Sequence, residues 1–143
     1  MIFNNIGTCV IVVDPEQKRV LLGKRMNSYK SGWYGLPGGR LEFEEGLVDG
    51  AKRELAEETG LIAEDLEYLG VVREKKEGYS FIHFVFLCNK YSGQLQVMEV
   101  DHCESWNWIP LESIPEKTLE GHRTAIDIFK EFQKGGYVDL LKD

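Results

Sequence analysis

The stretch from Leu36 to Gly60 constrains this chain more than any other. It opens with Leu36-Pro37-Gly38-Gly39, and its second half, Gly46 to Thr59, is helical by composition, with Gly60 placed to stop the helix. At about 100° per residue, Leu47, Val48, Ala51 and Leu55 form one apolar stripe that must face a core. Glu54, Glu57 and Glu58 share a sector of about 100° that overlaps the edge of that stripe. Like charges three and four residues apart repel, and partial burial adds a desolvation cost to each. A helix shaped only for stability would not carry three glutamates there.

The acids are concentrated around this helix. Ten lie between Glu42 and Glu67, with Lys52 and Arg53 as the only bases, in a chain of 24 acids and 17 bases with net charge −7. The remainder is close to neutral. Such a balance lacks the basic footprint that a nucleic-acid polymer requires. A hard divalent cation, Mg²⁺ with Mn²⁺ able to substitute, removes the conflict among the glutamates, because both ions favour oxygen ligands. Arg53, four residues before Glu57, can neutralise and orient part of the cluster. A single Glu on a helix is ordinarily a solvated surface acid. The Gly-Gly loop, the placement at the stripe edge and the adjacent Arg together point to a site.

The rest of the chain supplies a frame. With 143 residues, 43% hydrophobic and 29% charged, residues 1–143 are expected to form a single domain of ordinary globular composition. Gly7 to Val13 reads as a buried strand, with Lys18 to Arg25 as its hairpin partner across Asp14-Pro15. Met26 to Gly35 reads as a polar loop. Glu67 to Arg73 and Ser80 to Lys90 read as strands joined by a charged turn at 74–78, and Ser105 to Ile109 as a short strand. Leu119 to Lys134 reads as a helix burying Ala125, Ile128, Phe129 and Phe132. Strands around a central helix, with a second helix at the end, predict an α/β layered domain. Cys9, Cys88 and Cys103 have no CxxC spacing and read as free thiols in a reducing compartment. The first residues show neither a basic leader nor a membrane-length apolar run. The expectation is a soluble cytoplasmic protein without membrane contact.

Gly39, five residues, Glu45, seven residues, then Arg53-Glu54-Leu55-Ala56-Glu57-Glu58-Thr59-Gly60-Leu61 resembles the signature of the Nudix hydrolases at every fixed position. Gly50 departs only in standing where the family usually has a residue that favours helix more, at a cost of about 1 kcal/mol relative to Ala. The resemblance implies an α/β/α sandwich with a central mixed sheet and a catalytic loop-helix-loop. It also implies a metal-dependent hydrolase of nucleoside diphosphate derivatives. By position it makes Glu54, Glu57 and Glu58, with the Gly38 carbonyl, metal ligands. Arg53 orients the catalytic glutamates, and Glu45 supports the loop. Glu54 is the first choice of general base, with Glu99, Asp101 and Glu104 as alternatives on the loop before Trp106.

Several segments are similar to the MutT-like branch, which converts nucleoside triphosphates, including modified ones, to monophosphate and pyrophosphate. Arg25 and Gly39 are then expected at the phosphates, and Trp106 and His122 at the base. Tyr34, Phe81 and Trp108 are further candidates for an apolar wall, and Asn107 for an edge reader. His83 reads as a packed core histidine and His102 as a surface one. Two alternatives stand beside this reading: an ADP-ribose or nucleotide-sugar pyrophosphatase, and a nucleotide-sensing module without catalysis. The expected partner is a small nucleotide. A homodimer is common among such domains.

Overall fold

The computed structural model describes residues 5–76, 78–135 and 141–142. The leading strand, β1 (Ile6–Val12), is buried on both faces, as its unbroken β-branched run requires. Cys9, Ile11 and Val13 point into one apolar cluster, while Val10 and Val12 point into another. The first cluster is closed by Ala125, Ile126, Ile128 and Phe129 of helix α2 (Glu120–Gln133). The second is closed by Ala51 and Leu55 of helix α1 (Leu47–Thr59). Two helices thus cover opposite faces of the strands, which is the expected α/β/α layering.

The main sheet is mixed. Its strand order is β4 (Gly38–Arg40), β1, β6 (Tyr79–Gly93), β5 (Leu61–Lys76), β8 (Leu141–Lys142). β1 runs parallel to β6 and antiparallel to β4, and β5 runs antiparallel to β6. A second sheet has the order β3 (Tyr34–Gly35), β2 (Arg19–Arg25), β7 (Cys103–Pro110).

Several details differ from the sequence reading. The expected hairpin between β1 and β2 does not form, because the two strands belong to different sheets and share only a Val13–Val20 bridge. Both have stronger long-range partners, β6 for the first and β7 for the second. β5 begins directly after α1 rather than at Glu67, and Glu74, Lys75 and Lys76 pair with Phe81, Ser80 and Tyr79 instead of forming a turn. The loop expected over 26–35 ends in the short strand β3. Val48 and Phe132 are exposed, so each apolar stripe is narrower than its wheel suggests. Gly50, in contrast, has a packing role: a Cβ there would come within 2.3 Å of Leu41 Cδ2, so the Leu41 side chain would have to shift. None of the three cysteines forms a disulfide; Cys9 and Cys88 are buried and Cys103 is half-buried. Among the described residues no helix is long and apolar enough to cross a membrane.

Candidate active site

The site lies where α1 faces the loop Leu36–Gly39. Antiparallel pairing sets Gly38 opposite Cys9 and Gly39 opposite Thr8, which presses the loop flat against β1. Gly38 has φ +146°, and a Cβ there would lie 2.0 Å from the Thr8 carbonyl oxygen, so no other residue fits. Its N–H donates to Glu58 Oε1 at 2.7 Å. At Gly39 a Cβ would fall 2.8 Å from the Glu54 carboxylate. The two glycines therefore let two helix glutamates close on the main chain.

Arg53 organises the neighbouring acids. Its guanidinium contacts Glu45 at 2.6 Å, Glu54 and Glu57 at 3.1 Å each, and Glu42 at 3.8 Å. Hydrogen bonding to Arg53 holds the Glu45 carboxyl below its usual range. Glu54 moves the other way: burial raises its pKa, and Arg53 only partly opposes that. Glu58 is raised well above the usual value, again chiefly by burial, with the Gly38 N–H opposing and Glu54 and Glu99 adding to it. Glu54 and Glu58 thus present hard oxygen donors whose negative charge the surrounding protein leaves undercompensated. That is the condition in which a divalent cation binds favourably.

The last carbonyls of α1 place the opposite wall. The Gln96 N–H donates to Thr59 O at 2.8 Å, while the Met98 N–H and Trp106 Nε1–H donate to Glu58 O at 3.3 and 3.1 Å. Carbonyls that a helix end leaves open thereby anchor the segment 96–98 and β7. This anchoring brings Glu99 to the cleft. A cleft of about 260 Å³ results, lined among others by Lys24, Arg25, Glu58, Glu99, Cys103 and Trp106.

A family model for the NUDIX domain matches residues 4–129. The chain belongs to the Nudix family. Nudix hydrolases are pyrophosphohydrolases of nucleotide substrates and generally use a divalent metal such as Mg²⁺. The chain is 35% identical over 102 residues to the 8-oxo-dGDP phosphatase NUDT18 of Mus musculus, covering 70% of this chain but only 31% of that protein. It is 30% identical over 122 residues to the oxidized purine nucleoside triphosphate hydrolase of Mus musculus, covering 78% of this chain and 70% of the relative. A MutT NUDIX hydrolase from Burkholderia pseudomallei superposes with TM-score 0.81 at 30% identity, covering 86% of this chain and 95% of the other.

Against this Nudix frame, the structure brings Gly38, Gly39, Arg53, Glu54, Glu57 and Glu58 together. Arg25 and Trp106 line the adjoining cleft. Arg25 is held there by Nε donating to Tyr29 O at 3.0 Å. His122 is only 8% exposed, and its Nδ1 accepts the Leu36 N–H at 2.8 Å, so that atom holds the loop and cannot read a base. Phe81 is buried and stacks on His83, and Trp108 stacks on Tyr91. Tyr34 packs against the core on the α2 side, and Asn107 donates to Ser105 Oγ. Of the loop acids only Glu99 lines the cleft, since Glu104 pairs with Lys24 at 3.2 Å and the exposed Asp101 gives its carbonyl to Asn27. His102 is exposed and lines the cleft edge. Lys24 was missed because strand alternation puts it opposite Arg25. A register shift leaves Glu104 as an extra residue on β7, and both cations reach the cleft.

Proposed function

We propose that this Nudix domain hydrolyses nucleoside triphosphates, with modified purine deoxynucleotides among them, to nucleoside monophosphate and pyrophosphate. The carrying observation is the pairing, in one cleft, of the carboxylates Glu58 and Glu99 with the cations Lys24 and Arg25 and the ring of Trp106. The names of the relatives support the choice of oxidised purine nucleotides.

Glu54, Glu57 and Glu58, with the main chain at Gly38, would hold Mg²⁺, or Mn²⁺ in its place. The ion would supply neutralisation of charge developing on the phosphoryl oxygens. Glu54, pressed against Gly39, takes the proton of the attacking water. Burial raises its pKa, which makes its carboxylate a stronger proton acceptor. Glu99 is the alternative base, the one of the three candidate loop acids that lines the cleft. Arg53 fixes the orientation of Glu54 and Glu57 through its Nη1. Arg25 and Lys24 grip the polyphosphate, Gly39, expected at the phosphates, instead leaves room for the Glu54 carboxylate against the main chain, and Trp106 provides the apolar wall for the base. One water is consumed, one P–O–P bridge is cut, and both products leave as anions. Three cysteines without a disulfide accord with a reducing cytoplasm.

A panel of canonical and oxidised nucleotides with Mg²⁺ tests the reading. Monophosphate and pyrophosphate in equal amounts from triphosphates is the expected result. Turnover confined to ADP-ribose, giving AMP and ribose phosphate, overturns it in favour of a pyrophosphatase of sugar-linked diphosphates. Binding without turnover across the panel favours a sensing module.

A further inference from the structure

Behind the Leu36–Gly39 loop, on the sheet face covered by α2, three side chains with metal-ligating atoms converge. Cys9 comes from β1, His83 from β6 and His122 from α2. One such atom from each lies within 4.8 Å of the others, and all three residues are buried. The two imidazoles meet edge to face with centroids 5.8 Å apart. The backbone around them is glycine where a side chain would intrude. A Cβ at Gly7 would come within 2.7 Å of His83 Nδ1, and one at Gly35 within 3.1 Å of His122 Nδ1.

We propose that Cys9, His83 and His122 form a site for one monovalent thiophilic ion, Cu⁺, separate from the carboxylate centre. One thiolate and two imidazoles suit copper and zinc alike. Charge decides between them. Cu⁺ with one thiolate is neutral overall, while Zn²⁺ would leave a positive charge in a buried place at a desolvation cost. On binding, the Cys9 thiol gives its proton to solvent as the sulfur–copper bond forms, with no change of oxidation state.

The site is linked to the catalytic loop through His122. A neutral imidazole that accepts the Leu36 N–H at Nδ1 carries its own proton on Nε2. Ligation at Nδ1 displaces Leu36 directly. Ligation at Nε2 moves the proton to Nδ1 and turns the acceptor into a donor. Either way the ion and Leu36 compete for one ring, and Leu36 lies two residues before Gly38.

The test titrates the whole protein with Cu⁺ buffered by a chromogenic chelator, without oxygen, with ascorbate and excess Mg²⁺. The expected result is one Cu⁺ per chain, an X-ray absorption spectrum with one sulfur and two nitrogen neighbours, and a shifted Leu36 amide resonance. Cys9→Ser and His83→Gln weaken uptake by more than about tenfold, equivalent to about 1.4 kcal/mol. Cys103→Ser, which removes the thiol lining the cleft, leaves uptake unchanged. Circular dichroism establishes that each variant is folded, and the absorption spectrum of the wild type decides the ligand set even if Cys9→Ser is not. No uptake by the wild type, uptake retained by folded Cys9→Ser, loss in Cys103→Ser, or a first shell without one sulfur overturns the proposal. Displacement of Cu⁺ by an equal free concentration of Zn²⁺ overturns the choice of ion.

Discussion

Two adjacent glycines should fail in opposite ways when each is replaced by alanine. Gly38 combines φ +146° with a would-be Cβ 2.0 Å from the Thr8 carbonyl oxygen, which is backbone and cannot step aside. A left-handed conformation of this kind costs about 1–3 kcal/mol for a residue with a side chain. Forcing an extra methyl into a packed place adds about 1–3 kcal/mol. Gly38→Ala should therefore lose about 2–6 kcal/mol, which lowers Tm by roughly 5–20 °C in a domain of this size. At Gly39 the obstacle is the far end of a flexible side chain, the Glu54 carboxylate at 2.8–2.9 Å. That carboxylate can swing away by about half an ångström, so Gly39→Ala should melt within about 2 °C of the wild type. It would then leave the Arg53 Nη1 contact of 3.1 Å. Displacement of a reacting group by about 1 Å costs about 10²-fold in rate, so kcat should fall by about 10- to 100-fold. Thermal melts in EDTA read the first effect, and initial rates of pyrophosphate release with saturating Mg²⁺ read the second. Wild-type turnover in Gly39→Ala would refute the reasoning that Glu54 works from where it rests. An unchanged melt for Gly38→Ala would refute the steric argument for the loop.

Further perturbations separate the other contributions. Burial raises the folded-state pKa of Glu54 and Glu58, so their contribution to stability is present at low pH and is lost as pH rises through those raised values. Glu45 acts oppositely, since Arg53 lowers its pKa and its contribution is lost as pH falls. Without metal, Tm should therefore decline as pH rises above the ordinary carboxylate range, and Mg²⁺ should remove most of that decline. A profile that Mg²⁺ leaves unchanged would count against cation binding at these glutamates. Glu58→Gln should raise the metal-free Tm by a few degrees at pH 8 and abolish most Mg²⁺-dependent turnover; a lower Tm contradicts the account of its burial. Arg53→Met leaves Glu45 and Glu54 unpaired, which should cost about 1–3 kcal/mol in denaturant melts as well as most turnover. His122→Leu strands the Leu36 N–H at about 1–3 kcal/mol, whereas His122→Asn, which keeps an acceptor near Nδ1, should recover much of it.

What the sequence made legible is what is local. The helix over Leu47–Thr59 and the convergence of its glutamates follow from a 3.6-residue period acting within one segment. The glycines before it signalled close approach, and Gly38 and Gly39 provide it. The strand partners were not local. Asp14-Pro15 suggested a hairpin, yet β1 pairs Ile6 with Ile82 and Val12 with Cys88. The unbroken apolar run of β1 was the available clue, because a strand buried on both faces sits inside a sheet with non-sequential neighbours. Gly50 was weighed by helix propensity alone, which contains no term for Leu41 packing across it. Lys24 escaped because one extra residue on β7 breaks the alternation. The Cys9, His83 and His122 cluster has no sequence spacing at all, since three separate elements supply it.

The acidic excess also divides once contacts are known. Arg53 contacts Glu42, Glu45, Glu54 and Glu57, so four of the ten acids crowded into this region share one cation and the region stays strongly negative. Glu58 and Glu99 face the cleft without an ion pair among the described residues, opposite Arg25 and Lys24. The cleft is therefore bipolar. Its α1 wall repels a polyphosphate and its β2 wall attracts one. A divalent cation against Glu58 would reverse the sign of the first wall without touching the second. Substrate affinity should then rise with Mg²⁺ far more steeply than in a uniformly basic cleft, and the dependence should flatten in Glu58→Gln while surviving in Lys24→Gln.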